Sequence, residues 1–152
     1  MNIKFMKKAL EIASKSGNDV PIGAIIVKND EIVAAFHNEK EKRNDTTAHA
    51  EILAIQEASK KLNSWHLDDC ELYVTLEPCP MCTGAIINSR IKTVIFGAYD
   101  LKAGCMDSVI NLCDYPFNHK IEIEKYILKD ECEGLLKEFF KFLREKHKIE
   151  KK

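Results

Sequence analysis

The sequence predicts an α/β protein: a three-layer α/β/α domain around a central mixed five-stranded sheet. Three observations carry this reading. Two short β-branched runs, residues 22–27 and 32–36, flank the turn Lys28-Asn29-Asp30-Glu31 and read as a hairpin. After Ala48, helical and strand patterns alternate, which implies βαβ units, a parallel half-sheet and helices on both faces. A length of 152 residues suits one well-buried domain, taken as residues 1–152, and is short for two.

Each element has its own signal. Residues 3–16 carry Ile3, Met6, Leu10 and Ala13 at helical spacing, with Gly17 as a stop. The hairpin follows, then a charged loop over 39–45. Residues 48–62 fit a helix with Ile52, Ile55 and Ala58 on one face. Strands are expected at 72–76 and 93–98, around a helix at 81–89. Residues 104–118 read as irregular, with one helical turn near Val109, and 121–127 as a last strand. Asp130 and Glu133 form a capping-box pattern. Leu135, Leu136, Phe139, Phe140 and Leu143 then give a final helix its apolar face, and the last few residues are expected as a basic tail without fixed structure.

Composition sets limits. A hydrophobic share of 45% beside 31% charged residues describes a soluble globular protein. No stretch approaches the roughly 20 apolar residues of a membrane span. The N-terminus enters a helical pattern without a signal-peptide core, so a reducing, cytoplasmic setting is expected. Four of the six cysteines, Cys70, Cys105, Cys113 and Cys132, are scattered through apolar or helical contexts and read as small buried hydrophobes. The net charge of −1 neither favours nor excludes nucleic acid. The lysine-rich end after Asp130 is either a solvated helix face or a phosphate-facing edge.

The chemistry is concentrated in two motifs: His49-Ala50-Glu51, and Pro78-Cys79-Pro80-Met81-Cys82. One imidazole and two thiolates make three protein ligands for a tetrahedral zinc, with the fourth position open to water. Glu51, beside His49, is the natural proton shuttle. Cys79 and Cys82 open a predicted helix directly after a strand, where unpaired N–H groups and the helix dipole favour thiolate. Simpler readings compete for single residues. The Cys-x-x-Cys alone could be a redox dithiol or half of a structural zinc site, and His49 alone a core histidine. None of them accounts for His-x-Glu, strand and Cys-x-x-Cys in this order.

The order His-x-Glu…Pro-Cys-x-x-Cys is the signature of zinc nucleobase deaminases. The chain resembles the cytidine-deaminase-like superfamily and, within it, the tRNA-specific adenosine deaminases that convert the wobble adenosine to inosine. The likeness is closest in residues 47–52, 73–82 and 89–91, and continues through Gly97-Ala98-Tyr99-Asp100-Leu101-Lys102-Ala103-Gly104 and Asn118-His119. The resemblance implies zinc on His49, Cys79 and Cys82, with Glu51 as acid–base catalyst. It implies that Asn38 hydrogen-bonds the flipped base and that Asp100, Asn118 and His119 lie along an anticodon-loop groove. It also implies that Phe140 stacks on a neighbouring base and that the enzyme is a homodimer. Tyr99 departs from the family pattern, where a basic residue is frequent, and Asp107 adds negative charge near the expected RNA path.

The leading expectation is therefore a zinc-dependent tRNA adenosine deaminase that binds an anticodon stem-loop. A deaminase of a free base such as guanine or cytosine would share every zinc-site residue. A dithiol redox protein and an inactive zinc-stabilised RNA-binding module are further alternatives.

Overall fold

The computed structural model describes residues 2–151. Helix α1 (Ile3–Ala13) leads into strands β1 (Gly23–Lys28) and β2 (Glu31–His37). Asn29 and Asp30 join them with φ of 51° and 61°, the left-handed pair of a tight hairpin turn. The chain continues through α2 (Lys40–Arg43), α3 (Ala50–Lys61), β3 (Cys70–Leu76), α4 (Pro80–Ser89) and β4 (Thr93–Ala98). A 3-10 turn (Leu112–Asp114), β5 (Glu122–Glu124) and the long α5 (Lys129–Glu150) complete it.

The five strands lie in the order β2-β1-β3-β4-β5. Strand β1 is antiparallel to β2 and β3, whereas β3, β4 and β5 run parallel. The expected mixed sheet is thus present. Because side chains alternate along a strand, each central strand feeds two cores. Ala24, Ile26, Leu72, Val74, Val94 and Phe96 face Ala50, Ala54 and Ala58 of α3 and Ile86 of α4. Ile25, Val27, Tyr73 and Ile95 face Phe5, Met6 and Ala9 of α1 and Cys132 of α5. Gly97 lets α5 come close: a Cβ there would lie 2.3 Å from Cys132 Sγ.

Some expectations shift. The charged loop at 39–45 contains the one-turn helix α2, because the Asp19 carboxylate accepts the backbone N–H groups of Glu41 and Lys42 at 2.8 and 3.3 Å from another loop. The helical turn expected near Val109 lies at Leu112–Asp114, where the Asn111 side chain accepts the Cys113 N–H at 3.1 Å. The last strand shrinks to Glu122–Glu124, since Tyr126 and Leu128 take left-handed φ of 70° and 53° and turn the chain. Asp130 and Glu133 make no capping box. Leu128 precedes the helix without a side-chain cap, and Asp130 lies inside the first turn, where an acid favours the helix dipole. The basic end expected as an unstructured tail continues α5 to Glu150, while Met1 and Lys152 lie outside the described residues.

Candidate active site

Strands β2, β3 and β4 share one direction, so their C-terminal ends meet at one edge of the sheet. Ligand sites of open α/β sheets form at such an edge. Here β2 delivers Asn38, β3 delivers residues 77–79, and β4 delivers Tyr99 and Asp100. The N-termini of α3 and α4 complete it, with His49 and Cys79 as the residues that immediately precede each helix. Both have extended backbone, with φ of −76° and ψ of 150° and 177°. Pro80 starts α4 where its missing N–H has no partner to lose.

His49 Nδ1 lies 3.7 Å from Cys79 Sγ and 3.5 Å from Cys82 Sγ. The three ligand atoms all fall within 4.8 Å of one another. The neighbouring Cys82 holds the Cys79 thiol down at about 4, and the same pairing, with burial, pushes Cys82 up. His49 is lifted above its ordinary value, first by its hydrogen bond with Cys79. Such a cluster, negative at its sulfurs and drawn together by α4, could hold a metal ion. Glu51, one residue into α3, is 4% exposed, and burial pushes its carboxyl up to about 7. A group in that range takes and returns a proton readily at neutral pH.

A cavity of about 520 Å³ opens beside His49. Of the sequence-predicted residues, it brings together Asn38, His49, Asp100 and Phe140. Asn38 is buried, and its side-chain oxygen accepts the Ala50 N–H at 2.8 Å, which leaves its amide NH2 as the group it can present. Asp100 shapes the wall: its carboxylate accepts the N–H groups of Lys102 and Ala103 at 3.1 and 3.2 Å. Phe140 is 42% exposed and forms the α5 side together with Leu136. Phe139 points elsewhere, into a groove with Pro21 and Phe142. Asn118 and His119 do not line this cavity. Asn118 is exposed, and His119 Nε2 is engaged with the Ile91 carbonyl at 2.7 Å.

Lys102, Leu136 and Phe140 also line a second depression of about 420 Å³, shared with Lys137, Leu143, Arg144 and His147. The cavity therefore continues onto a basic and aromatic face of α5. Asp107 does not oppose that charge, because Lys125 Nζ and the Tyr99 hydroxyl both reach its carboxylate. Tyr126 in turn donates to the Tyr99 hydroxyl at 2.7 Å, which fixes this wall residue in place.

A family model for MafB19-like deaminases matches residues 2–144. The chain belongs to that deaminase family. It is 47% identical to the tRNA-specific adenosine deaminase of Bacillus subtilis strain 168, over 97% of this chain and 94% of the relative. It is 52% identical to the protein of the same name from Aquifex aeolicus strain VF5, over 92% and 94%. A solved structure from work on A-to-I editing by tRNA:A34 deaminases at the wobble position superposes with a TM-score of 0.86, at 36% identity over 89% of this chain and all of the other. A guanine deaminase from Nitrosomonas europaea superposes with a TM-score of 0.76, at 25% identity over 91% and 84%. This deaminase thus shares its fold with enzymes named for an RNA substrate and for a free base.

One residue of the site escaped the sequence reading. Glu77 is 2% exposed at the end of β3, two residues before Cys79. Its signal was available: an acid closing an otherwise apolar strand, where a buried charge needs a reason.

Proposed function

We propose that this deaminase converts the wobble adenosine of a tRNA anticodon loop to inosine, as one domain over residues 1–152 with one zinc on His49, Cys79 and Cys82. The donor set fits that metal. Bonds of about 2.0–2.3 Å to nitrogen and sulfur give a tetrahedron with edges of roughly 3.6 Å, close to the separations from His49 to both sulfurs. Bound there, zinc supplies a water acidic enough to attack near neutral pH.

The other roles belong to the chain. Glu51 takes a proton from the attacking water and returns it to the departing amine. Water thus replaces the amine at C6 of adenine, and ammonia leaves. The Asn38 amide donates to the base and holds it against His49. Phe140 stacks on a neighbouring unpaired base, the usual way single-stranded loops are read. Lys102, Lys137, Arg144 and the lysines that follow Arg144, Lys146 and Lys148 among them, meet phosphates. Asp100 shapes the wall, and Asn118 and His119 take no part in the base cavity.

The observation that carries the RNA reading is the continuity of the cavity with the basic face of α5 through Lys102, Leu136 and Phe140. A free base has no phosphate to meet there. The names of the curated relatives support the same substrate. The test is direct: incubation with an anticodon stem-loop carrying adenosine at the wobble position yields inosine, while guanine and cytosine are left unchanged. Turnover of guanine with none of the stem-loop would replace this reading by the free-base one.

Two coarser features accompany the proposal. No helix among the described residues is long and apolar enough to cross a membrane, and none of the six cysteines is in a disulfide. Cysteines without disulfides suit a reducing cytoplasm, where we place the enzyme. The family resemblance supports a homodimer with an RNA groove built from both subunits, which sedimentation of the purified protein measures.

A further inference from the structure

The end of β3 carries a carboxylate that the reaction does not use. Glu77 Oε2 accepts the backbone N–H groups of Met106, Asp107 and Ser108 at 3.0, 2.8 and 2.9 Å. Its Oε1 accepts the Asp100 N–H at 3.1 Å and the Ser108 hydroxyl at 2.5 Å. Every one of these donors lies between Asp100 and Ser108. A buried carboxylate is costly, and a strand end that needed only filling would take an apolar residue. Converging backbone donors instead give an anion the means to dictate a loop's path. Gly104 confirms how tightly the loop wraps, since a Cβ there would lie 2.2 Å from Glu77 Oε1.

This loop has two working ends. Its first residues, Tyr99 to Ala103, wall the substrate cavity. On the other side, the Cys105 N–H donates to the Pro78 carbonyl at 2.9 Å, and Pro78 precedes the ligand Cys79. Glu77 therefore ties the cavity wall to the metal cluster through one carboxylate. We propose that Glu77 is a positioning residue that sets the Tyr99–Ala103 wall relative to Cys79 and so governs substrate binding. The role rests on the proposed reaction centre but not on which nucleobase enters it.

Ser108 supplies the test, because it lines neither cavity nor metal cluster. Its hydroxyl also lies 2.8 Å from the Asp100 carbonyl of the wall, so Glu77→Gln, which leaves that contact in place, is measured beside it. Ser108→Ala deletes the hydroxyl donor and keeps the backbone donors. Ser108→Thr keeps the hydroxyl. Glu77→Gln turns one acceptor into an NH2 facing N–H donors. Zinc content, Tm, kcat and KM are measured for each, using whichever substrate the wild type turns over, stem-loop or guanine. Wild-type preference judges the substrate reading, and the variants judge this one. Ser108→Ala should keep its zinc and raise KM about ten-fold with kcat nearly unchanged, on the scale of one charge-assisted hydrogen bond. Glu77→Gln should raise KM further, and Ser108→Thr should return it to within about two-fold of wild type, its donor being intact. The inference is overturned if KM of Ser108→Ala stays at the wild-type value. It is equally overturned if Ser108→Thr is as impaired as the alanine variant, or if zinc loss or unfolding accounts for the whole defect.

Discussion

The side-chain oxygen of Asn38 accepts the backbone N–H of Ala50 at 2.8 Å, so a residue after β2 caps the helix that carries His49 and Glu51. The first N–H groups of a helix lack partners within it. His49, which occupies the capping position, makes no side-chain cap because its ring is turned to the sulfurs. Asn38 does so from a distance. One amide thus holds the helix start with its oxygen and faces the cavity with its nitrogen. Asn38→Ala should lower stability by about 1–2 kcal/mol, the size of a lost cap, and abolish most activity. Asn38→Asp restores the acceptor but not the NH2. Thermal melts should therefore recover in Asn38→Asp while kcat/KM does not. Recovery of both would remove Asn38 from base recognition.

Glu51→Gln should retain zinc and fold, since Gln matches Glu in shape, yet lose turnover by about 10²- to 10⁴-fold, the usual worth of acid–base catalysis. Single-turnover assays at equal zinc content measure this. Activity within a few-fold of wild type would move the proton shuttle to another group.

Metal removal gives a stability readout as well as a kinetic one. Elemental analysis should find one zinc per chain. A ligand bound only by the native state stabilises by about 2.7 kcal/mol at a hundred times its Kd, so a chelator should lower Tm together with activity. His49→Ala should behave like the chelated protein and show no further response to the chelator. A fully active, zinc-free preparation contradicts the metal centre.

Gly97→Ala tests the packing of α5. The new Cβ would lie 2.3 Å from Cys132 Sγ and 3.0 Å from the carbonyl oxygens of Ile127 and Thr75. Overpacking of this kind costs about 1–3 kcal/mol. Adding Cys132→Ala removes the closest atom, so in denaturant titrations the double variant should lose less than the sum of the two single changes.

Truncation after Arg144 should weaken stem-loop binding without altering zinc content. Phosphate contacts release counterions, so affinity should fall steeply with salt, and the shortened protein should show a shallower slope. Equal slopes would place the phosphate contacts elsewhere.

The sheet and the metal cluster were legible because each rests on local pattern. β-Branched runs marked β1, β2 and β4, and His-x-Glu with Cys-x-x-Cys marked two helix starts that one sheet edge brings together. Long-range polar contacts were less readable. Asp19 starts α2 from more than twenty residues away, and Glu77 gathers donors about thirty residues downstream. Neither partner can be inferred from its own neighbourhood. The bond from His119 to the Ile91 carbonyl was hidden in the same way, because it exists only once the strands are assembled. Asp107 raised a concern over charge that Lys125, eighteen residues on, resolves by pairing with it.

Among the 22 residues of α5, Cys132 is the one that is buried. At about 1.5 Å per residue the helix reaches some 33 Å. It is fastened at Cys132 and lies against the body as far as Phe139 and Phe140, beyond which its outer half projects like an outrigger. Amides in the outer half should exchange with solvent long before those around Cys132, because local opening there disturbs little of the core. The same arrangement separates two evolutionary tasks. Substitutions along the projecting half carry little thermodynamic penalty, while the ligands and the acid stay untouched at the sheet edge. A lineage can thus acquire a taste for a different RNA loop by rewriting a helix that folding barely consults.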